Sequence, residues 1–251
     1  LRSLAKQPQN MPHLLFYGPS GAGKKTRVSA LLRQLYGPGA NRLKLDKRTF
    51  TTPSKRTIEI NMVTSNHHIE MSPGDVGLND RFVVQDIIKE MASNKNIATV
   101  GAISSASSST EKKAVVQFKT VVLVEVDRLS RQAQAALRRT MEKYSTTCRL
   151  ILVCNSLSKV IEPVRSRCLG IRVAAPSVDD ICGVLQSVAR KQSLTLPPEL
   201  AVRMARESSR NVRRALLMLE AGHVQHRNGF SPDQAVQKTD WEMYLKQLAM
   251  D

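Results

Sequence analysis

The sequence predicts an α/β domain built on a parallel sheet, followed by a small all-helical domain. Three observations predict it. His13–Tyr17 (HLLFY) is a short apolar run that ends at Gly18 and leads through a glycine-rich turn into a helical pattern. Two more apolar runs, 121–126 (VVLVEV) and 149–154 (RLILVC), alternate with helical patterns at the spacing of βαβ units. No strand-like run follows Ala174. The boundary is therefore placed near residue 175, giving an α/β domain over 1–175 and a helical domain over 176–238. Residues 239–251 begin a further element.

Each element has its own reason. Lys24–Tyr36 carries Val28, Leu31, Leu32 and Leu35 at helical spacing. Residues 42–46 and 57–63 alternate like strands. Residues 79–92 read as a helix with Val83, Val84, Ile87, Ile88 and Met91 on one side. Residues 101–113 (GAISSASSSTEKK) are Ser/Ala-rich and of low complexity, and are expected to form a mobile surface insertion. Residues 130–144 form a helix with Ala133, Leu137, Met141 and Tyr144 inward. In the second domain, helices are expected over 178–191, 197–208 and 211–225. Ser177 with Asp180 resembles a capping box, and Pro197-Pro198 suits a helix start. Asp240-Trp241 opens another helix, with Trp241 as a packing residue. His67-His68 reads as a surface loop pair, with no Cys or third His nearby to make a metal site.

The 251 residues, 41% hydrophobic, suffice for one large or two smaller cores. The net charge is +17, from 38 Lys+Arg against 21 Asp+Glu; residues 1–56 hold twelve basic side chains and only Asp46 as an acid. An excess of that size points to an anionic partner such as nucleic acid, nucleotide or a membrane surface. No apolar run approaches the roughly 18 residues of a membrane span, and no signal-peptide pattern opens the chain. Cys148, Cys154, Cys168 and Cys182 form no CxxC pair, which argues for reduced intracellular thiols and against zinc.

The strongest motif is Gly18-Pro19-Ser20-Gly21-Ala22-Gly23-Lys24-Lys25-Thr26. It fits the first seven positions of GxxxxGK[ST], between a strand and a helix. Its glycines let backbone N–H groups cradle phosphate oxygens. Lys24 adds charge at the β/γ phosphates, and the helix N-terminus favours anions. The eighth position, whose hydroxyl binds Mg²⁺, is Lys25. Thr26 comes one residue late, about 100° around the helix, and does not replace it. The run 121–127 (VVLVEVD) is similar to a Walker B box. Aligned on its Glu and final Asp, Val124 takes the Mg²⁺-binding Asp position and Glu125 the water-polarising one. Two metal ligands are lost at separate places, so the site is expected to hold ATP or ADP with no protein ligand for metal, and to hydrolyse it slowly or not at all. A rival alignment puts Glu125 itself in the metal role.

Three further motifs follow in order. Asn155 ends the 149–154 strand where AAA+ ATPases carry a polar sensor of the γ-phosphate. Ser166-Arg167-Cys168 looks like the SRC motif of clamp-loader small subunits. Asn211-Val212-Arg213 resembles the second sensor at the start of a lid helix, with Arg213 as its arginine. The helix 136–144 (ALRRTMEKY) is also similar to the one after Walker B in those subunits. The set resembles the small subunits of replication factor C, the eukaryotic sliding-clamp loader of the AAA+ class, over about residues 11–225 and least over 93–118. The resemblance implies an AAA+ P-loop core followed by a helical lid. It further implies an adenine-contacting segment before Leu1 and a C-terminal collar beginning near Asp240.

The function it implies is membership of a hetero-pentamer that loads a sliding clamp on primer–template DNA, in replication and repair, in the nucleus. Arg167 would act in trans, on nucleotide bound by a neighbour, and Arg138 and Arg139 are candidates for DNA phosphate contacts. Plain readings stand beside these. Asn155 could cap a strand end, and Arg213 could be a solvated arginine. Arg138 and Arg139 could form a wet helix face partnered by Glu142. Arg167 could be structural, with Arg165 and Arg172 close enough to be confused with it. The alternative function is a stand-alone P-loop ATPase or kinase.

Overall fold

Among the described residues, seven strands form one sheet: β1 (His13–Tyr17), β2 (Lys44–Thr51), β3 (Thr57–Thr64), β4 (His68–Met71), β5 (Lys119–Val124), β6 (Cys148–Cys154) and β7 (Cys168–Arg172). Their order is β2-β3-β4-β5-β6-β1-β7. The structure is a computed structural model that describes residues 4–5, 7–51, 57–74, 77, 80–93, 118–225, 229–231 and 236. The 101–113 segment, Trp241 and residues 239–251 lie outside them. The chain divides into two units, residues 1–18 with 24–172, and residues 19–23 with 173–251.

In the first unit, β4, β5, β6, β1 and β7 pair in parallel. The sheet is mixed, because β2, β3 and β4 add an antiparallel edge. That edge is an addition to the expected parallel core, and the sheet remains mostly parallel. An antiparallel hairpin needs only a tight connection, whereas a parallel pair needs a crossover. The first strand of that edge runs Lys44–Thr51 and not over 42–46. Strands β4 and β7 went unpredicted; they have four and five residues, too few for a clear period.

Helices α1 (Lys24–Tyr36), α2 (Asp80–Ser93), α3 (Arg131–Lys143) and the single turn α4 (Glu162–Arg165) belong to this unit. On one face of the sheet, Leu123, Leu150 and Leu152 pack with Val84 and Ile88 of α2 and Leu137 and Met141 of α3. Alternation sends Leu14, Phe16, Val122, Ile151 and Val153 to the other face, where Val28, Leu31 and Leu32 of α1 are also buried. Buried Asp80 ties the two helix starts together: its carboxylate accepts from Ser130 N (2.6 Å) and Ser130 Oγ (2.9 Å), while Ser130 Oγ caps α3 at Ala133 N (3.1 Å). Buried Gln134 of α3 donates to Leu129 O (3.1 Å) and Lys159 O (3.2 Å) and accepts from Ile161 N (2.9 Å), which fixes the chain leaving β6.

The histidine pair is not a surface loop. His68 starts β4 and is buried, with Nδ1 2.7 Å from Ser65 Oγ. The His67 ring stacks on Tyr36 with centroids 4.9 Å apart. Tyr36 is itself anchored by its hydroxyl donating to Phe118 O (3.0 Å). Pairing of β4 with β5 draws both histidines inward.

The second unit holds α5 (Val178–Lys191), α6 (Pro198–Glu207) and α7 (Val212–Gln225). Ile181, Leu185, Leu200, Met204, Ala215 and Leu219 are its core. The Ser177–Asp180 capping box forms in both directions at 3.0 Å, and Pro198 opens α6.

His13 generates a pH prediction. Its Nδ1 accepts from Leu150 N (3.1 Å), so Nε2 carries the proton and donates to Met141 O (3.3 Å). Burial lowers its pKa, and the neighbouring Arg149 charge lowers it further. Burial lowers that of His68 as well. Below about pH 6.5 the unfolded chain binds protons that the folded one refuses. Stability is therefore full above that value and lost as pH falls towards the lowered folded pKa. Each histidine contributes a slope of at most about 1.4 kcal/mol per pH unit. Urea melts should show a smaller loss between pH 7 and 5 for His13→Asn than for the native chain. Parallel losses would refute the assignment.

Candidate functional site

Strands β5, β6 and β1 are neighbours, and their C-terminal ends are level: Val124 pairs with Val153, and Tyr17 with Cys154. Glu125, Asn155 and Gly18 follow directly. Ligands of open α/β sheets bind outside such carboxyl ends. Lys24, the first residue of α1, is 8% exposed. Its Nζ donates to Gly18 O (2.7 Å) and to Asn155 Oδ1 (2.8 Å). The folding of β1 beside β6 thus brings together two predicted residues separated by 131 positions.

Asp127 holds that arrangement and is the functional residue sequence reasoning left unused. Its Oδ2 accepts from Asn155 N (3.2 Å) and Ser156 N (3.3 Å). Its Oδ1 is buried with no hydrogen-bond partner in the structure. Its place as the last residue of the 121–127 run was the available signal.

The 18–26 loop needs its glycines. Gly21 and Gly23 have φ of +73° and +80°, the left-handed region other residues avoid. Pro19, Ser20, Lys25 and Thr26 are exposed, whereas Ala22 is buried. The first turn of α1 has no acid and begins with two lysines. Cations oppose the helix dipole there, so the turn suits an anion more than the bare chain. Lys25 pairs with Glu70 of β4.

On the alignment that gives Val124 the carboxylate position, the donor set does not fit Mg²⁺: Lys25 holds the hydroxyl position, Val124 is half-buried, and no three His, Cys, Asp or Glu side chains converge among the described residues. Glu125 takes a left-handed conformation (φ 58°, ψ 45°), uncommon for a non-glycine residue, and pairs with Arg128 at 3.0 Å. Cys148 and Cys154 are buried, and burial raises the thiol pKa values to about 12 and about 11, well away from reactive thiolates.

Arg167 lies between α4 and α3. Its Nε donates to Glu142 Oε1 (2.7 Å) and its Nη1 to Pro163 O (2.8 Å). The hydrogen bond from Arg167 holds the Glu142 carboxyl below its ordinary range. Arg165 pairs instead with Glu162, and Arg172 is exposed on β7. Arg138 shares Glu142, at 3.5 Å. Arg139 lines a groove of 320 Å³ with Lys89, Lys143 and Asp86.

Within the second unit, residue 21 meets the start of α7. Val212 N donates to Gly21 O (3.2 Å), and Asn211 Oδ1 accepts from Arg214 N (3.2 Å) as an N-cap. A Cβ on Gly21 would lie 1.8 Å from Asn211 Oδ1. Asn211, not Arg213, is the residue brought to the loop. The Arg213 side chain is exposed and makes no hydrogen bond or ion pair among the described residues.

Known proteins place these features in a family. A model described as "RCF1/5-like, AAA+ ATPase lid domain" matches residues 183–223, and one described as "DNA polymerase III, delta subunit" matches residues 1–177. The chain is 53% identical to Replication factor C subunit 3 of Bos taurus over 249 residues, which is 99% of this chain and 66% of that protein. It is 51% identical to the Homo sapiens protein of the same name, with the same shares. It is 49% identical to Replication factor C subunit 5 of Neurospora crassa over 251 residues, covering 100% of this chain and 67% of the relative. The chain spans about two thirds of the length of these relatives.

The Gly21–Asn211 approach yields a double-mutant test. Gly21→Ala should cost about 2 kcal/mol or more in denaturant melts, from backbone strain plus overlap with Asn211. In an Asn211→Ala background, the same change should cost only the strain, about 1 kcal/mol. Equal costs in both backgrounds would show that the overlap contributes nothing.

Proposed function

The chain belongs to the replication factor C subunit 3/5 family of clamp-loader subunits, and on that premise we propose a division of labour. It holds ATP or ADP on residues 18–26 without turning it over, and supplies Arg167 to nucleotide bound by a neighbouring subunit. The observation that carries this reading is the contrast between two places. At the strand ends, Lys24 stands in a phosphate-type motif in which Lys25 and Val124 occupy the positions where Mg²⁺ ligands are expected. In the 166–168 motif, the Arg167 side chain is 31% exposed and its guanidinium is held by groups it can exchange.

The chemistry follows from charge. Lys24 and the loop amides neutralise phosphate in the ground state. Phosphoryl transfer needs further positive charge on the β and γ oxygens as the bond breaks, and Mg²⁺ ordinarily supplies it there. Glu125 could polarise water, yet without that support the barrier stays high. Arginine suits action in trans: it is always charged, and its planar fork spans two phosphate oxygens. In this reading the partners are the other subunits of a hetero-pentamer, a sliding clamp and primer–template DNA, in the nucleus, during replication and repair. Arg138, Arg139 and the basic groove beside them would contact DNA phosphates without reading bases.

The test uses the reconstituted loader with clamp and DNA. Arg167→Ala should remove roughly 10³-fold or more of the rate at the neighbouring site, lowering steady-state ATP hydrolysis, while Lys24→Ala should lower it far less. Both complexes should assemble. Wild-type hydrolysis by the Arg167→Ala complex would overturn the assignment. Turnover by the isolated chain at about 1 s⁻¹ or above, the range of working enzymes, would overturn the claim about its own site.

A further inference from the structure

We propose that the ammonium of Lys25 takes a divalent cation's part in ground-state phosphate binding, though not in hydrolysis, so that nucleotide binds equally well with and without Mg²⁺, and that Glu70 competes with the phosphates for that ammonium. The inference rests on the reading of residues 18–26 as a nucleotide loop and specifies the electrostatics of that same loop.

The geometry begins with the sheet. Strand β4 pairs in parallel with β5, and Glu70 is level with Val122. Side chains of paired residues share a face, and residues two apart on a strand share it too. Glu70, Val122 and Val124 therefore lie on one side of the sheet, and Lys25 of α1 reaches Glu70 there. The carboxylate missing at Val124 is thus not absent from that face. It stands one strand over and two residues back, and a lysine has already engaged it.

The two partners differ in environment. The Glu70 side chain is 14% exposed and that of Lys25 is 58% exposed. A mostly buried carboxylate keeps a firm place. The ammonium on its flexible stem is wet enough to swing or to share its three donors. Mg²⁺ is usually held by one or two carboxylates in a near-octahedral oxygen shell. On this face it would meet one carboxylate, already neutralised, with a fixed positive charge beside it. Among the described residues no cluster of His, Cys, Asp or Glu offers an alternative. A phosphate, by contrast, gains from Lys25 what it would gain from a weak metal contact, and no chelator can remove it. Glu70 carries the opposite sign: every phosphate that approaches Lys25 meets its carboxylate as a rival acceptor.

Calorimetric titration of the full chain with ADP and with ATP, in excess EDTA and in excess Mg²⁺, tests this. The two conditions should give Kd values within about threefold. Lys25→Met should weaken binding about tenfold in EDTA, the usual scale for losing one charge-assisted contact. Glu70→Gln keeps the shape, removes the competing charge, and should tighten binding about three- to tenfold. Lys25→Thr with Val124→Asp should restore a Mg²⁺ requirement. Binding more than threefold tighter in Mg²⁺ for the native chain would overturn the proposal, and so would indifference to Lys25→Met. Weaker binding by Glu70→Gln would make Glu70 a partner of the ligand and overturn its role as competitor. If neither nucleotide binds in either condition, the nucleotide reading itself fails, an outcome distinct from Mg²⁺ dependence.

Discussion

Two ammonium groups in the first turn of α1, in a turn that contains no carboxylate, set the electrostatics on which the rest of the site depends. Each is stabilised at a different distance. Lys24 is buried and satisfied by dipoles, those of Gly18 O and Asn155 Oδ1. Asn155 is in turn aimed by Asp127, and the chain beyond it by Gln134. Lys25 remains near solvent and reaches across to Glu70. Buried polar groups require partners, so the strands that carry these partners must end level with one another. The parallel register of β5, β6 and β1 meets that requirement.

The second cationic centre is organised differently. Arg167 is held by an exposed carboxylate and a carbonyl, and Glu142 also faces Arg138. Screened contacts of this kind contribute little to stability. Their value lies in orientation, because they hold a guanidinium at the surface without burying it. Lys24, by contrast, is locked inside the sheet ends.

Much of this was legible in residue order. Long, strongly periodic segments declared themselves: HLLFY as a strand, Lys24–Tyr36 and the helix carrying Arg138 by their spacing, Ser177 and Asp180 by the cap they form. Strands β4 and β7 were not legible, since four or five residues beside a Gly170 or a histidine pair carry no period. The motif positions identified Lys24 and Asn155 by residue type. What motifs omit is adjacency. The pairing of β4 with β5 is invisible in sequence, so Glu70 could not be connected to Lys25, nor His68 to the interior. At α7 the arginine drew attention because charge suggests phosphate, yet the small amide of Asn211 caps the helix and meets Gly21.

The position of β1 has a consequence for synthesis. It is buried along its length between β6 and β7, and its His13 is hydrogen-bonded to Leu150. Those partners are encoded far downstream. The about 155 residues that separate Tyr17 from Arg172 take roughly 8 to 30 s to emerge at ordinary ribosomal speed. The β2–β3 pair in between can form from local contacts, but β1, with β6 on one side and β7 on the other, cannot be framed until then. Strand β1 waits for β6 and β7, and its apolar side chains spend that interval within reach of chaperones.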